Sequence, residues 1–422
     1  MPTKVYVAIS DVSRTGDVVS DDTGFTYAAT FSSLSAAIAD ATYGSRDISS
    51  TTGSNESPYF DVFYSYTEVV GISTGNFTFI DNWVVVRAAP SYEHSGLPNT
   101  GIKISNTIAY ADKYLFSGNV LVLFLEFFST GNGTGTGIRT LQLHGNAVGI
   151  GLISQADKRA FEFRYDTSAN IPTAISCLAF NSQVGFYTES YNGGRQLNCV
   201  ALNCTSRGFD SNSNGSALTT TINCLGLGNA EDFSTGLTNV LEASNNASSD
   251  GTAWGTNPTI NLVPANEIEN LAGLNPHLKA GNSIETSGLD LVVRGDISAS
   301  NNKDIDGQPF TGWPIGCDQP GAFTVPLGIT AYDAQTLLEI QGVDLYIYAD
   351  IGGTLPQGTE ISSGTSDVNG EINVTPEFTG VQPLIIQGRK ATVQPFYQEG
   401  KSKGVLTGGG YSGSVYMISD QE

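Results

Sequence analysis

Three related segments lie between Ala174 and Phe233: AISCLAFNSQVGF, QLNCVALNCTSRGF and TINCLGLGNAEDF. Their alignment superposes Cys177, Cys199 and Cys224, with spacings of 22 and then 25 residues. Ile175, Leu197 and Ile222 fall two positions before the cysteines, and Ala179, Ala201 and Gly226 two positions after. This period of two marks a strand with one face turned inward. A repeat of this length built on short strands predicts one coil of a parallel β-helix, in which like side chains stack about 4.8 Å apart.

The ladder of Cys177, Cys199, Cys224, Ala179, Ala201 and Gly226 therefore belongs to a narrow interior, where cysteine serves as a small hydrophobe. Phe186, Phe209 and Phe233 close the three units. Asn181 and Asn203 occupy equivalent turn positions that favour the left-handed conformation, and Gly228 replaces them in the third. Short apolar runs broken by Gly, Asn and Ser begin at Asn76, among them IKIS, VLVLFLEFF and TLQLHG. Extending the coil length to about Val263 gives on the order of eight coils and a shaft of about 40 Å.

The expected architecture is all-β: a right-handed parallel β-helix, a short N-terminal capping helix and a C-terminal antiparallel β-sandwich. Residues 1–75 hold the first strands and the helix. In FSSLSAAIADA, Phe31, Leu34, Ala37 and Ile38 share one face, which suits a cap over an open core end. Residues 76–325 form the shaft and its closing segment. After the Pro- and Gly-containing GWPIGCDQPGAF, residues 326–422 carry alternating strands such as LGITAYDA, VDLYIYAD and PLIIQGRKATV.

Charge narrows the partners. The chain has 41 acidic against 19 basic residues, a formal net charge of −22, which disfavours nucleic acid and anionic membranes. The longest apolar run, Val120 to Phe128, is too short to cross a bilayer and contains Glu126. The opening MPTKVYVAISDV lacks the apolar block of a signal peptide.

The search for chemistry yields no catalytic or cofactor-binding set. Asp157, Lys158, Arg159, Glu162, Arg164 and Asp166 cluster in one stretch, whose alternation reads as a solvated strand face with Phe161 and Phe163 inward. Between Ala169 and Gly208 only Glu189 is acidic, so an acid–base pair on adjacent coils is not expected. His94, His144 and His277 are far apart in sequence, and no C-x-x-C pair exists, which speaks against zinc. Asn302, Asp304, Asp306 and Gly307 match the opening of a calcium loop, but Trp313 stands where its bidentate Glu belongs, so an Asx-rich turn is expected. Tyr59, Tyr64, Tyr66, Tyr92, Tyr187 and Tyr191 are candidate platforms for stacking a sugar, or ordinary half-buried rings.

Two resemblances add to this reading. The segment ending in KDIDGQPFTGWPIGCDQ resembles the closing segment of right-handed β-helix proteins of viruses and cell surfaces, with the D-x-D-G turn at Asp304, Asp306 and Gly307 and Cys317 where that family more often has Ala. The N-terminal IDNWVVVRAAPSYEHSG and TGIKISN look like phage-encoded β-helix proteins. The C-terminal TAYDAQTLLEIQGVDLYIYADIGG and SDVNGEINV are similar to carboxypeptidase-regulatory-like, or transthyretin-like, sandwiches, and GSVYMISD to the ends of phage virion proteins. The resemblances imply a non-enzymatic structural or binding component of a phage virion: a capsid decoration, head fibre or tail-associated protein that assembles in the cell and leaves by lysis. Implied partners are capsid or tail proteins, further copies of the chain in an oligomer such as a trimer, and a host surface glycan. The alternatives are a bacterial surface adhesin and a polysaccharide lyase or hydrolase.

Overall fold

The structure is a computed structural model. It describes residues 2–44, 46–68, 70, 72–75, 77–79, 82–90, 92–106, 114–129, 139–164, 171–189, 193–211, 219–235, 240–279, 281–310, 312–319, 323–324, 327–333, 341, 343–349, 360–367, 371–374, 377–378, 382–390, 397–406 and 411–419. The chain divides into two units, Met1–Pro320 and Gly321–Glu422.

The first unit is a parallel β-solenoid of about eight turns. From Glu56–Val62 to Glu231–Phe233 each turn contributes a strand to each of three sheets, and the first sheet carries further strands at its N-terminal edge. Ile150, Ile175, Leu197 and Ile222 pair in sequence along the first sheet. Ala179, Ala201 and Gly226 do so along the second. On the third, Phe161, Phe186, Phe209 and Phe233 form a stack with ring centroids 4.7, 5.0 and 4.7 Å apart and nearly parallel planes. The ring spacing equals the strand spacing, so the register is locked by side chains as well as by the backbone ladder. Trp254 ends the stack edge-on at 5.3 Å.

The corners follow the same logic. Ser176, Asn198, Asn223 and Asn245 have φ of 49–56° at the bend between the first and second sheets. Asn181, Asn203 and Gly228 have φ of 46–68° at the next bend. Both are left-handed positions, where asparagine and glycine carry little penalty. Ser176, Asn198 and Asn223 each stand one residue before an aligned cysteine, and Asn245 continues the column in the next coil, before Asn246.

Parallel pairing begins earlier than Asn76. Thr3–Ile9 pairs with Glu56–Val62, which pairs with Val84–Ala88, so the N-terminal strands continue the first sheet. The coils there are long and irregular, with paired residues Thr3 and Glu56, Tyr59 and Val85, and Val84 and Val120, and this hides the period. The helix Leu34–Ala39 is capped by Ser33 Oγ, which accepts from the Ala36 N–H, and buries Leu34, Ala37 and Ile38 in the same core.

Residues 264–279, 281–310 and 312–319 follow the last coil. They do not add coils; they run along the outside of the shaft as a strap. Ile268, Leu278, Ile284, Ile305, Ile315 and Cys317 join one apolar cluster with the outward residues Leu178, Phe180, Val200, Leu202, Leu225 and Leu227 of the second sheet. The intervening Ala179 and Ala201 face the interior core. This sheet is therefore buried on both faces, which explains its uninterrupted apolar strands LAF, VAL and LGL.

The second unit is a separate, largely antiparallel sheet of seven strands. Leu327–Asp333 is its exception, pairing in parallel with Tyr411–Ser419.

Candidate functional site

The cysteine ladder lies inside the shaft. Cys177, Cys199 and Cys224 are fully buried with free thiols, as are Cys204 and Cys317. The Cys199 thiol donates towards the carbonyls of Ala174 and Leu197. Burial pushes the Cys177, Cys199 and Cys317 thiols well up, and that of Cys204 up to about 12. None of these four has the thiolate character that nucleophilic chemistry requires.

The charged stretch is not the solvated face expected from sequence. Asp157 is exposed, but the Glu162 side chain is fully buried. Arg159 Nη1 lies 2.7 Å and Arg164 Nε 3.4 Å from its carboxylate, and Gln142 donates to it at 3.3 Å. The flanking arginines, half-exposed, fold over the acid and screen it. Asp166 lies outside the described residues. In the third sheet Glu162 pairs with Tyr187, and Tyr187 with Asp210. Asp210 follows the acid-poor stretch by two residues, so the column holds a second carboxylate after all, two strand spacings or about 9.6 Å along the shaft. Arg207 binds it at 3.0 Å. Arg159 also stacks 3.5 Å over the Tyr187 ring.

The other tyrosines are divided. Tyr59 packs against Tyr6, and Tyr64 stacks on Tyr66 at 5.3 Å. Tyr92 is 42% exposed beside Phe63. Tyr191 lies outside the described residues.

The structure splits the calcium candidate. Asp304 accepts from the N–H groups of Asp306 and Gln308 and shapes its own turn. Asn302 donates to the Phe310 carbonyl. Asp306 instead faces His277, with Oδ2 3.7 Å from Nδ1. Asp318 Oδ2 lies 3.0 Å from that same Nδ1. The strap thus gathers His277, Asp306 and Asp318, residues that sequence spacing did not connect.

Two distant histidines meet beneath this point. His277 Nε2 lies 3.2 Å from the Ser95 carbonyl, while His94 Nε2 reaches the Gly151 carbonyl and its Nδ1 accepts the Gly96 N–H. Burial holds His94 down to about 4. Burial also opposes charge on His277, but Asp306 and Asp318 outweigh it and raise the imidazole to about 10. Burial in turn lifts Asp306 to about 7 against the pull of His277. His144 lies on the third sheet, in register with Arg164.

No family model and no curated protein matches this chain. Among solved structures it is similar to the backbone protein of the group B streptococcus pilus 2b, at 14% identity and a TM-score of 0.18, over 22% of this chain and 41% of that one. It is similar also to the shaft pilin SpaA of Lactobacillus rhamnosus GG, at 12% identity and a TM-score of 0.19, over 25% of this chain and 48% of that one. The chain spans about half or less of these structures' lengths. Likeness this low carries no argument about function.

Proposed function

We propose that this chain is a non-enzymatic structural or binding component of a phage virion, its solenoid acting as a stiff shaft. One observation carries the reading: the acids on the shaft's charged face are bound by its own arginines. Glu162 is enclosed by Arg159 and Arg164, and Asp210 is bound by Arg207. A carboxylate held by guanidinium groups is poorly suited to donate the proton that glycoside cleavage needs. The ladders, the aromatic stack and the strap favour rigidity. The separate sheet of residues 321–422 is read as a transthyretin-like sandwich that attaches or spaces, on the strength of its resemblance. Partners would be capsid or tail proteins, further copies of the chain, and a host glycan at exposed tyrosines such as Tyr92. A cell-surface adhesin would use the same architecture.

Mass spectrometry of purified particles tests the proposal. A fixed stoichiometry between this chain and a capsid or tail protein is expected, and its absence from particles would sink the idea.

A second reading rests on the column of Glu162, Tyr187 and Asp210. Their separation of about 9.6 Å stands at the upper limit of the carboxylate spacing in inverting glycosidases. Release of new reducing ends or unsaturated products from capsular or algal polysaccharides, lost in Glu162→Gln and Asp210→Asn, would promote a hydrolase or lyase. The structural reading expects no turnover by the wild type.

A further inference from the structure

We propose that His277, Asp306 and Asp318 form a divalent transition-metal site, of the kind that takes zinc, which fastens three stretches of the strap together where it lies against the shaft. Imidazole and carboxylate are zinc donors, and the three donor atoms lie within 4.8 Å of one another. Tetrahedral zinc with bonds of about 2.0–2.2 Å holds its donors roughly 3.3–3.5 Å apart. The distances here, 3.0 Å from Nδ1 to Asp318 and 3.7 Å to Asp306, straddle that value.

The surroundings are those of a ligand histidine. His277 places Nε2 against the Ser95 carbonyl, which fixes the ring and leaves Nδ1 turned to the two carboxylates. Asp306 Oδ1 is buried with no hydrogen-bond partner, although its side chain keeps 11% exposure. A buried carboxylate oxygen without a donor calls for a cation. Asp304 adds a third buried acid beside them, its carboxylate spent on its own turn.

The opposing wall is shaped for this approach. Gly96, at φ +71°, would bring a Cβ to 2.4 Å from Asp306 Oδ1 and 2.7 Å from His277 Cε1. Only a residue without a side chain lets the strap come this close. His277 and Asp318 flank the strap's apolar residues Leu278 and Cys317. The metal would therefore tie three stretches of the strap to one another, seated against the coil that contains Ser95 and Gly96 through the bond from His277 Nε2 to the Ser95 carbonyl.

The competing account is a proton in place of the metal, with His277 as an imidazolium between two aspartates. The experiment separates the two. Full-length protein is stripped with chelator and titrated with Zn²⁺ by calorimetry, while the imidazole nitrogens are followed by NMR. The expected result is about one zinc per chain, a higher Tm, and loss of the Nδ1 proton as zinc binds. Asp306→Asn and His277→Gln should each lower affinity at least about tenfold, and Asp11→Asn, an exposed acid elsewhere, should not. No uptake by the wild type overturns the proposal, as does uptake that leaves the Nδ1 proton in place or that Asp306→Asn and His277→Gln leave at the wild-type affinity. If the variants fail to fold, the wild-type nitrogen spectrum alone decides.

Discussion

The side-chain amide of Asn223 binds the Oδ1 of Asn198 in the neighbouring coil at 3.0 Å, and the same nitrogen reaches the Leu289 carbonyl on the strap at 2.9 Å. Its own Oδ1 accepts the Leu289 N–H at 2.8 Å. One buried side chain thus joins coil to coil and shaft to strap. Asn223→Ala loses these bonds, strands the Leu289 N–H and places a Cβ-bearing residue without a local hydrogen bond at φ 56°. A destabilisation of about 2–4 kcal/mol is expected by chemical denaturation. Asn223→Gly keeps the backbone conformation and should cost less. Equal losses in the two variants would show that the turn conformation contributes nothing.

The five cysteines should be silent in the native protein. All are buried and unpaired. An aromatic disulfide reagent at pH 8 should label none of them until denaturant is added, and then all five. Cys199→Arg should unfold the shaft, since an unpaired charge in that interior costs several kcal/mol. Rapid labelling of native Cys177, Cys199 and Cys224 would mean that the interior register is wrong.

Glu162 is the buried centre of an otherwise half-exposed cluster, and Glu189 shares its arginines. Glu162→Ala removes the acid between two guanidinium groups. Because both arginines retain solvent contact, the expected loss is about 1–3 kcal/mol, below that of a fully enclosed pair. Glu162→Gln should recover part of it through hydrogen bonding. Thermal melts of the three proteins decide this, and an unchanged Ala variant would refute the role.

His94 should make the fold sensitive to mild acid. Its folded value of about 4 lies below the ordinary 6.5, so the unfolded chain binds the proton more readily. The stability it contributes is present above about pH 6.5 and is lost as pH falls towards 4. The shift corresponds to about 3 kcal/mol across that window. His94→Gln should flatten the decline between pH 6.5 and 4 relative to wild type. An identical decline in both would place the acid sensitivity elsewhere.

The coil was legible because it is a repeat. Cys177, Cys199 and Cys224 recur at nearly fixed spacing, and parallel stacking brings like residues together, so alignment alone fixed the register of Ala179 with Ala201 and of Phe186 with Phe209. The left-handed corners at Asn181 and Asn203 followed from residue type. The expected alternation also covered the inward face of the second sheet.

What lies outside that face was decided by the tertiary structure. Leu178, Val200 and Leu225 are covered by a strap whose residues share no period with the coils, and Ser176 bonds the carbonyl of Lys303, 127 residues away. Contacts at such separation leave no mark in local spacing. The apolar pattern of LAF, VAL and LGL signalled only that something must cover them. The meeting of His277 with Asp306 and Asp318 has the same origin. A period specifies which residues stack from coil to coil, whereas the partner of an outward side chain is set by where the returning chain can bury its own apolar residues.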